Sequence, residues 1–150
     1  MKKIITVLLV FLFLTNCGYT PIYSGKNFDF KLKNITSSKN NQLNSRVERR
    51  LRSFSNQESQ KIISLKVDAQ KKINALAKNS RGDISRYEMI VIIKLEAAYS
   101  QNQIMKQSFQ ESFNYNTNTN KFELAQYERE IEDLLINNNI ENIIFHLSNL

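Results

Sequence analysis

Few side chains in this sequence could carry out acid–base, nucleophilic or metal chemistry. His146 is the only histidine of the 150 residues, and Cys17 is the only cysteine. Neither has further His, Cys or carboxylate residues at the spacing of a metal site, and the three glycines do not form a phosphate-binding loop. We therefore expect no catalytic residue, no bound metal and no cofactor, and a role other than that of an enzyme.

The remaining titratable residues are interpreted as structural. His146 lies near the end of a predicted helix, where a packing or surface position is favoured over a ligand role. The same helix carries a group of acidic residues: Glu128, Glu130, Glu132 and Asp133. An earlier helix carries a group of arginines: Arg46, Arg49, Arg50 and Arg52. Both groups are interpreted as solvent-exposed helix faces.

Cys17 follows an N-terminal segment with the charge pattern of an export signal. Lys2 and Lys3 give this segment a positive start, and residues 4–14 form an apolar run interrupted only by Thr6. The run is far shorter than the roughly 20 residues that a membrane-spanning helix needs. The pattern predicts a signal peptide over residues 1–16.

The segment Leu14-Thr15-Asn16-Cys17 resembles the bacterial lipobox, in which a Leu lies three residues before an obligatory Cys. The resemblance implies S-diacylglycerol on the Cys17 thiol and an N-acyl chain such as palmitate on the new terminus. Asn16 departs from the pattern, since Gly, Ala or Ser is usual there. A lone cysteine cannot form an internal disulfide, which favours lipidation over an ordinary secretory signal. Gly18 lacks the Asp of an inner-membrane retention signal, and this favours the outer membrane.

Residues 17–150 are numerous enough for one domain with a hydrophobic core. Without Lys2 and Lys3 the 21 basic residues become 19, against 14 acidic residues, so the net charge falls from +7 to +5. In a membrane-tethered protein this charge suggests lipid phosphates rather than nucleic acid as a partner, although charge alone favours a merely solvated surface.

The first part of this domain reads as a tether, a strand and a helix. Residues 17–26 include Pro21 and two glycines, and predict the tether. Alternation from Phe28 to Leu32 predicts a strand. Residues 37–41 form a polar turn that supplies helix N-caps. One apolar stripe predicts the amphipathic helix that follows: Leu43, Val47, Leu51 and Phe54.

Two long alternating runs around Gly82 predict a β-hairpin. Odd positions from Ile63 to Ala77 are apolar except Lys71, and odd positions from Tyr87 to Tyr99 are apolar again. An arm of about 16 residues would span roughly 54 Å, longer than typical strands. We therefore expect the hairpin to project beyond the helices, with a break in its apolar face at Lys71.

Residues 104–115 predict one more strand after the hairpin, at a sheet edge or near the end of the core, and a long helix starts near Phe122. The helix has two offset apolar stripes, and Asn137, Asn138 and Asn139 between them suggest a bend or a break. The order β-α-β-β-β-α predicts an α+β two-layer sandwich over residues 27–150, with two helices on a small mixed sheet.

With the lipobox-like segment, the β-α-β-β-β-α order and the long hairpin taken together, the chain resembles the LPS-assembly lipoprotein family, LptE. Four segments carry the likeness: Cys17-Gly18-Tyr19, the helix end at residues 49–52, residues 81–89 (RGDISRYEM), and the last helix from Leu124-Ala125 to Leu147. The resemblance implies a non-enzymatic role. Such lipoproteins plug the outer-membrane β-barrel LptD, help it assemble, and help lipopolysaccharide reach the outer leaflet.

The resemblance also suggests where lipopolysaccharide phosphates would bind. Arg81 at the hairpin tip is the first candidate, followed by Lys78 and Arg86. The family often has a basic residue just after Leu-Ala; here that residue is Gln126, and Lys121 is the possible substitute. The alternatives are a generic outer-membrane lipoprotein that binds or scaffolds other proteins without lipopolysaccharide and, more remotely, an envelope enzyme.

Overall fold

A computed structural model describes residues 28–39, 41–100 and 103–150. The elements follow in the order β1 (Lys31–Ser37), α1 (Gln42–Arg52), β2 (Ile62–Lys78), β3 (Ile84–Ser100), β4 (Gln103–Asn116) and α2 (Lys121–Ser148). This confirms the predicted α+β sandwich and its order. The predicted signal peptide, Cys17 and the tether lie outside the described residues.

The four strands form one mixed sheet in the order β1-β2-β3-β4. β1 is parallel to β2, whereas the other neighbouring strands are antiparallel. The β2–β3 hairpin pairs from Ser64 opposite Ala98 to Lys78 opposite Ile84. β4 then pairs along nearly all of β3. The central strands therefore run the whole length of the molecule, whereas β1 covers only the start of β2.

Both helices pack on one face of the sheet, where the odd-numbered residues of β2 and β3 point. α1 lies over β1 and β2, and α2 lies over β3 and β4. The core includes these buried residues: Ile63, Leu65, Val67, Met89, Val91, Ile93, Leu95, Ile136, Ile140, Ile143 and Leu147. Removing these apolar side chains from water supplies most of the folding free energy, at about 25 cal/mol per Å².

The first strand differs from its prediction. It begins at Lys31 rather than Phe28, and a register irregularity lies between Leu32 and Ile35. The predicted alternation holds at Phe30 and Leu32, which are buried, and at Asp29, which is exposed. The irregularity then brings Ile35, three positions after Leu32, into the core and ends the period-2 pattern. Phe28 is partly buried and packs edge-on against Phe54, with ring centroids 5.6 Å apart.

The long helix α2 is continuous through its three asparagines. It runs unbroken over 28 residues, and Asn139 is fully buried inside it. The Asn139 side-chain amide group donates hydrogen bonds to the Val91 carbonyl at 3.1 Å and the Leu135 carbonyl at 3.0 Å. These bonds satisfy the buried Nδ2 atom and join α2 to β3, whereas the buried Oδ1 atom has no hydrogen-bond partner among the described residues. A break of the helix at the asparagines is therefore absent.

Candidate functional site: the basic hairpin tip

The hydrophobic core ends midway along β2. Residues 63–69 of β2 are buried at every odd position, but residues 71–78 are all exposed. The start of α1 marks this boundary, because the buried Asn44 side chain accepts a hydrogen bond from the Ala69 amide at 2.7 Å. With 11 residues, α1 is about 16 Å long and cannot cover the outer half of β2. The predicted projection is therefore confirmed for β2 beyond α1, whereas β3 remains buried beside it at Met89 and Val91.

Lys71 is the residue at which the apolar alternation of β2 breaks, as predicted. Its ammonium group pairs with the Glu132 carboxylate of α2, which also pairs with Arg46 of α1. The boundary of the core is thus also the point at which β2, α1 and α2 are joined by charges. Beyond Lys71, no helix among the described residues covers β2.

The turn at the tip is held by a single asparagine side chain. The Asn79 Oδ1 atom accepts hydrogen bonds from the amides of Arg81 and Asp83, each at 2.9 Å. The Asn79 amide also donates to the Asp83 carbonyl at 2.8 Å. Gly82 adopts φ +90°, a conformation that side-chain-bearing residues rarely adopt. The turn is therefore well ordered, and it fixes the backbone from which Arg81 extends.

The structure brings the four candidate basic residues to one end of the molecule. Lys78, Arg81 and Arg86 are exposed at the hairpin tip. Lys121 is exposed at the start of α2. The segment before it lies beside the hairpin, because the Thr117 amide donates a hydrogen bond to the Ser85 carbonyl at 3.1 Å. Asp83 in the turn and Glu123 in the first turn of α2 offset part of this charge, and the excess of basic residues at this end can attract phosphate groups.

Gln126 supplies no positive charge to this end of the molecule. It is exposed, and its amide donates to the Glu130 carboxylate at 3.2 Å. Any phosphate contact from the start of α2 therefore depends on Lys121.

The arginines of α1 form only part of the exposed face that the sequence suggests: Arg49 and Arg52 are exposed, whereas Arg46 and Arg50 are partly buried in ion pairs. Arg46 pairs with both Glu132 and Asp133, and Arg50 pairs with Asp133 at 2.7 Å. Arg52 donates to the Ile35 carbonyl at 3.1 Å. These interactions clamp α1 to α2 and to β1.

The carboxylates of α2 are also placed differently from the prediction. Glu132 is buried, so its two cationic partners compensate for its loss of hydration. The signal that could have revealed this clamp is the opposite charge of the two helices, which must lie side by side on one sheet face.

Tyr115 fastens the start of α2 to β4. Its hydroxyl donates to the Glu128 carboxylate at 2.7 Å, and its ring stacks on Tyr87 and meets Tyr127 edge-on. Burial, followed by the hydrogen bond to Glu128, raises the pKa of the Tyr115 hydroxyl. Glu128 is therefore a structural acceptor, rather than part of a solvated face. The contact holds the Lys121 end of α2 in place beside the tip.

His146 packs as predicted, with its ring edge-on to Phe109 and its Nε2 atom 3.1 Å from the sulfur of Met105. Among the described residues, no group of three or more His, Cys, Asp or Glu could hold a metal ion. In the same part of the chain, no helix combines the length and apolar character that crossing a bilayer requires.

Solved structures share this architecture. Rare lipoprotein B from Shewanella oneidensis has a TM-score of 0.57 and 15% identity, over 77% of this chain and 92% of that one. The chain shares the fold of that protein. A minor lipoprotein from Acinetobacter baumannii gives a TM-score of 0.54 and 11% identity, over 81% and 92% of the two chains. Lipoprotein B from Nitrosomonas europaea gives a TM-score of 0.50 and 14% identity, over 87% of this chain and 90% of that one.

At 11–15% identity these similarities show the fold alone. No protein-family model matches the sequence. No curated protein sequence matches it either.

Proposed function

We propose that this chain is an LptE-like outer-membrane lipoprotein that plugs the LptD β-barrel, helps it assemble, and assists the insertion of lipopolysaccharide into the outer leaflet. The observation that carries the proposal is the cationic hairpin tip, which extends beyond α1 and lies beside the start of α2 at the end of the molecule opposite Phe28. The lipoprotein fold of the three similar structures supports it.

The two ends of the molecule suit an anchored plug. Phe28 packs on Phe54, just after α1 ends, and Lys31 pairs with Ile62 at the start of β2. The described chain therefore begins at the end of the sheet where β2 starts, and the 17 residues of β2 carry the hairpin tip about 58 Å away from that end. A tether from Cys17 to Phe28 would reach at most about 40 Å, so an anchored domain could enter a barrel lumen without leaving the membrane.

Phosphate recognition follows from the chemistry of the tip. Arg81 can form two parallel charge-assisted hydrogen bonds with one phosphate, and Lys78 and Arg86 add attraction that depends less on direction. Inside a barrel lumen these charges would be less screened than in bulk water, so each contact with a lipid A phosphate would be stronger. The acyl chains on Cys17 would contribute about 0.8 kcal/mol per buried CH₂, enough for a permanent anchor.

Affinity purification of the lipidated chain from its own envelope tests the plug proposal. We expect a large outer-membrane β-barrel to co-purify in a stoichiometric amount. Recovery of the lipoprotein without any barrel would contradict the proposal.

Fatty-acid labelling tests the anchor separately. The wild-type chain should incorporate the label, and the Cys17→Ala variant should not. Labelling of both chains, or of neither, would contradict the assignment of Cys17 as the lipidated residue.

A further inference from the structure

The face of the sheet opposite the helices carries an apolar patch at the end where β2 starts. Two isoleucines on this face are exposed there, Ile62 (48%) on β2 and Ile104 (66%) on β4. Ala98 of β3 lies between them, is exposed, and pairs with Ile104. These three residues form the base patch, which is about 10 Å wide across three strands. No described helix covers this face of the sheet, because both helices pack on the other face.

Lysines surround the base patch within the same face. Lys31 of β1 pairs with Ile62. Lys66 and Lys106 lie one row further along the sheet, with Glu96 of β3 paired to both. The Lys106 ammonium group is 3.2 Å from the Glu96 carboxylate, and the Lys106 side chain is 71% exposed. Three lysines against one carboxylate give this rim a net positive charge.

An apolar patch with a basic rim fits the boundary between the headgroups and the acyl chains of a phospholipid bilayer. Apolar side chains on a membrane-bound surface enter that boundary by about 5–10 Å. Lysines beside them lay their aliphatic stems along the apolar surface and extend their ammonium groups to the headgroup phosphates. Anionic lipids also attract the net charge of the rim.

The position at which the described chain begins favours a bilayer over another partner. The described residues start at Phe28, and Lys31, which follows closely, belongs to the rim itself. Lys31 is 14 residues after Cys17, a distance that an extended chain spans in at most about 50 Å. An anchor at Cys17 would therefore keep the base patch near the membrane surface. The resulting high effective concentration allows even a small patch to bind.

We propose that the base patch docks on an anionic phospholipid surface, to which Cys17 anchors the chain. The three apolar residues enter the headgroup region, the three lysines contact lipid phosphates, and both helices face away from the bilayer. The inference rests on the Cys17 anchor of the proposed function, but not on the barrel. It describes the chain before entry into a barrel lumen, and it does not use the basic hairpin tip.

Tryptophan fluorescence on vesicles tests the docking. The sequence contains no tryptophan and one cysteine, so both an introduced indole and a thiol coupling are specific. Residues 17–150, which include every described residue, are coupled through the Cys17 thiol to a maleimide lipid in vesicles of phosphatidylethanolamine and phosphatidylglycerol. We expect brominated acyl chains to quench Ile104→Trp at least about threefold more strongly than Phe145→Trp.

Phe145 is the matched control for Ile104. It is 63% exposed, and its neighbour His146 contacts Met105, so it lies at the same end of the molecule but on the helix side of the sheet. Equal quenching of the two variants would overturn the proposal, as would stronger quenching of Phe145→Trp.

Removal of the rim charges tests the contacts with lipid phosphates. Lys66→Gln with Lys106→Gln, introduced into the Ile104→Trp chain, should reduce its quenching at least about threefold. Arg49→Gln with Arg129→Gln removes the same charge from exposed positions on the helices and should leave the quenching unchanged. Equal effects of the two pairs would overturn the role of the lysines.

The result is separable from the tests of the proposed function. The vesicles contain no barrel, and the chemical coupling replaces lipidation by the cell. Failure of the docking would therefore leave the plug proposal intact, whereas failure of the fatty-acid labelling would remove the anchor without changing the vesicle result.

Discussion

The lower and outer halves of β2 have the same sequence pattern but very different surroundings. In residues 62–70 the alternation of apolar and polar residues produces alternating burial, whereas residues 71–78 keep most of the pattern and are all exposed. β3 does not show this division, since Met89 and Val91 remain buried next to exposed partners on β2. The difference arises because α2 packs on β3 along its buried residues, from Met89 to Ala97, whereas α1 ends its cover of β2 at Ala69.

This difference separates what alternation specifies from what it does not. Period 2 determines which side chains share a face of a strand. Burial depends on whether a helix long enough to cover that face packs on it. A strand can therefore extend over 17 residues, with register irregularities near Ala77, while only half of it supports the core, which leaves the other half available for binding.

The largest expected effect tests this division directly. Ile93→Ala removes a fully buried side chain, and should lower the free energy of unfolding by about 2–5 kcal/mol. Ile73→Ala, in the outer half and 43% exposed, should lower it by less than about 1 kcal/mol. Urea denaturation of both variants measures the two values. Similar losses would show that the outer half is part of the core.

The next effect concerns the charges at the boundary of the two halves. Glu132→Ala leaves Arg46 and Lys71 without this partner, and should lower the free energy of unfolding by about 1–3 kcal/mol. Partial exposure of both cations keeps the loss below that of a fully buried pair. Glu141→Ala, at an exposed position of the same helix, is the control and should change stability by less than about 0.5 kcal/mol. Equal free energies of unfolding for the two variants would mean that the ion pairs of Glu132 contribute nothing to stability.

A smaller effect concerns Tyr115, which fastens α2 over the outer half of β4. Tyr115→Phe loses the hydrogen bond to Glu128, and should lower the free energy of unfolding by about 1 kcal/mol at neutral pH.

The pH dependence of the same variant supplies an independent check. The raised pKa of Tyr115 means that, above about pH 10, the unfolded chain loses this proton while the folded chain keeps it. The stability contributed by the neutral hydroxyl is therefore complete below pH 10 and declines above it. Denaturation at several alkaline pH values should show a steeper decline for the wild type than for Tyr115→Phe. Parallel curves would contradict the raised pKa.

Much of the fold could be predicted because its signals are local. The hairpin follows from alternation on both sides of Gly82, α1 from one apolar stripe, and its start from the Asn41 cap. The basic tip could be predicted as well, since a hairpin turn must bring together the charges that flank it. The assignment of those charges to phosphate binding is a separate step that rests on family resemblance.

The remaining features depend on contacts between distant segments. Arg46 and Glu132 are 86 residues apart, and their pairing depends on α1 and α2 lying side by side. Asn139 favours a bend or break of the helix by its own propensity, but the Val91 carbonyl beneath it accepts a hydrogen bond that stabilises a continuous helix. In both cases tertiary packing, which the local sequence does not specify, decides the outcome.

The central claim is that the hairpin tip binds lipopolysaccharide phosphates, and one binding measurement tests it most directly. The variant Lys78→Glu with Arg81→Glu is compared with Lys33→Glu and Lys66→Glu, which makes the same change in net charge at exposed positions in the lower half. Affinity for purified lipopolysaccharide should fall at least about tenfold for the tip variant and less than about threefold for the control. Both variants should keep a free energy of unfolding within about 0.5 kcal/mol of the wild type. Equal losses in the two variants, or unchanged affinity of the tip variant, would contradict the claim.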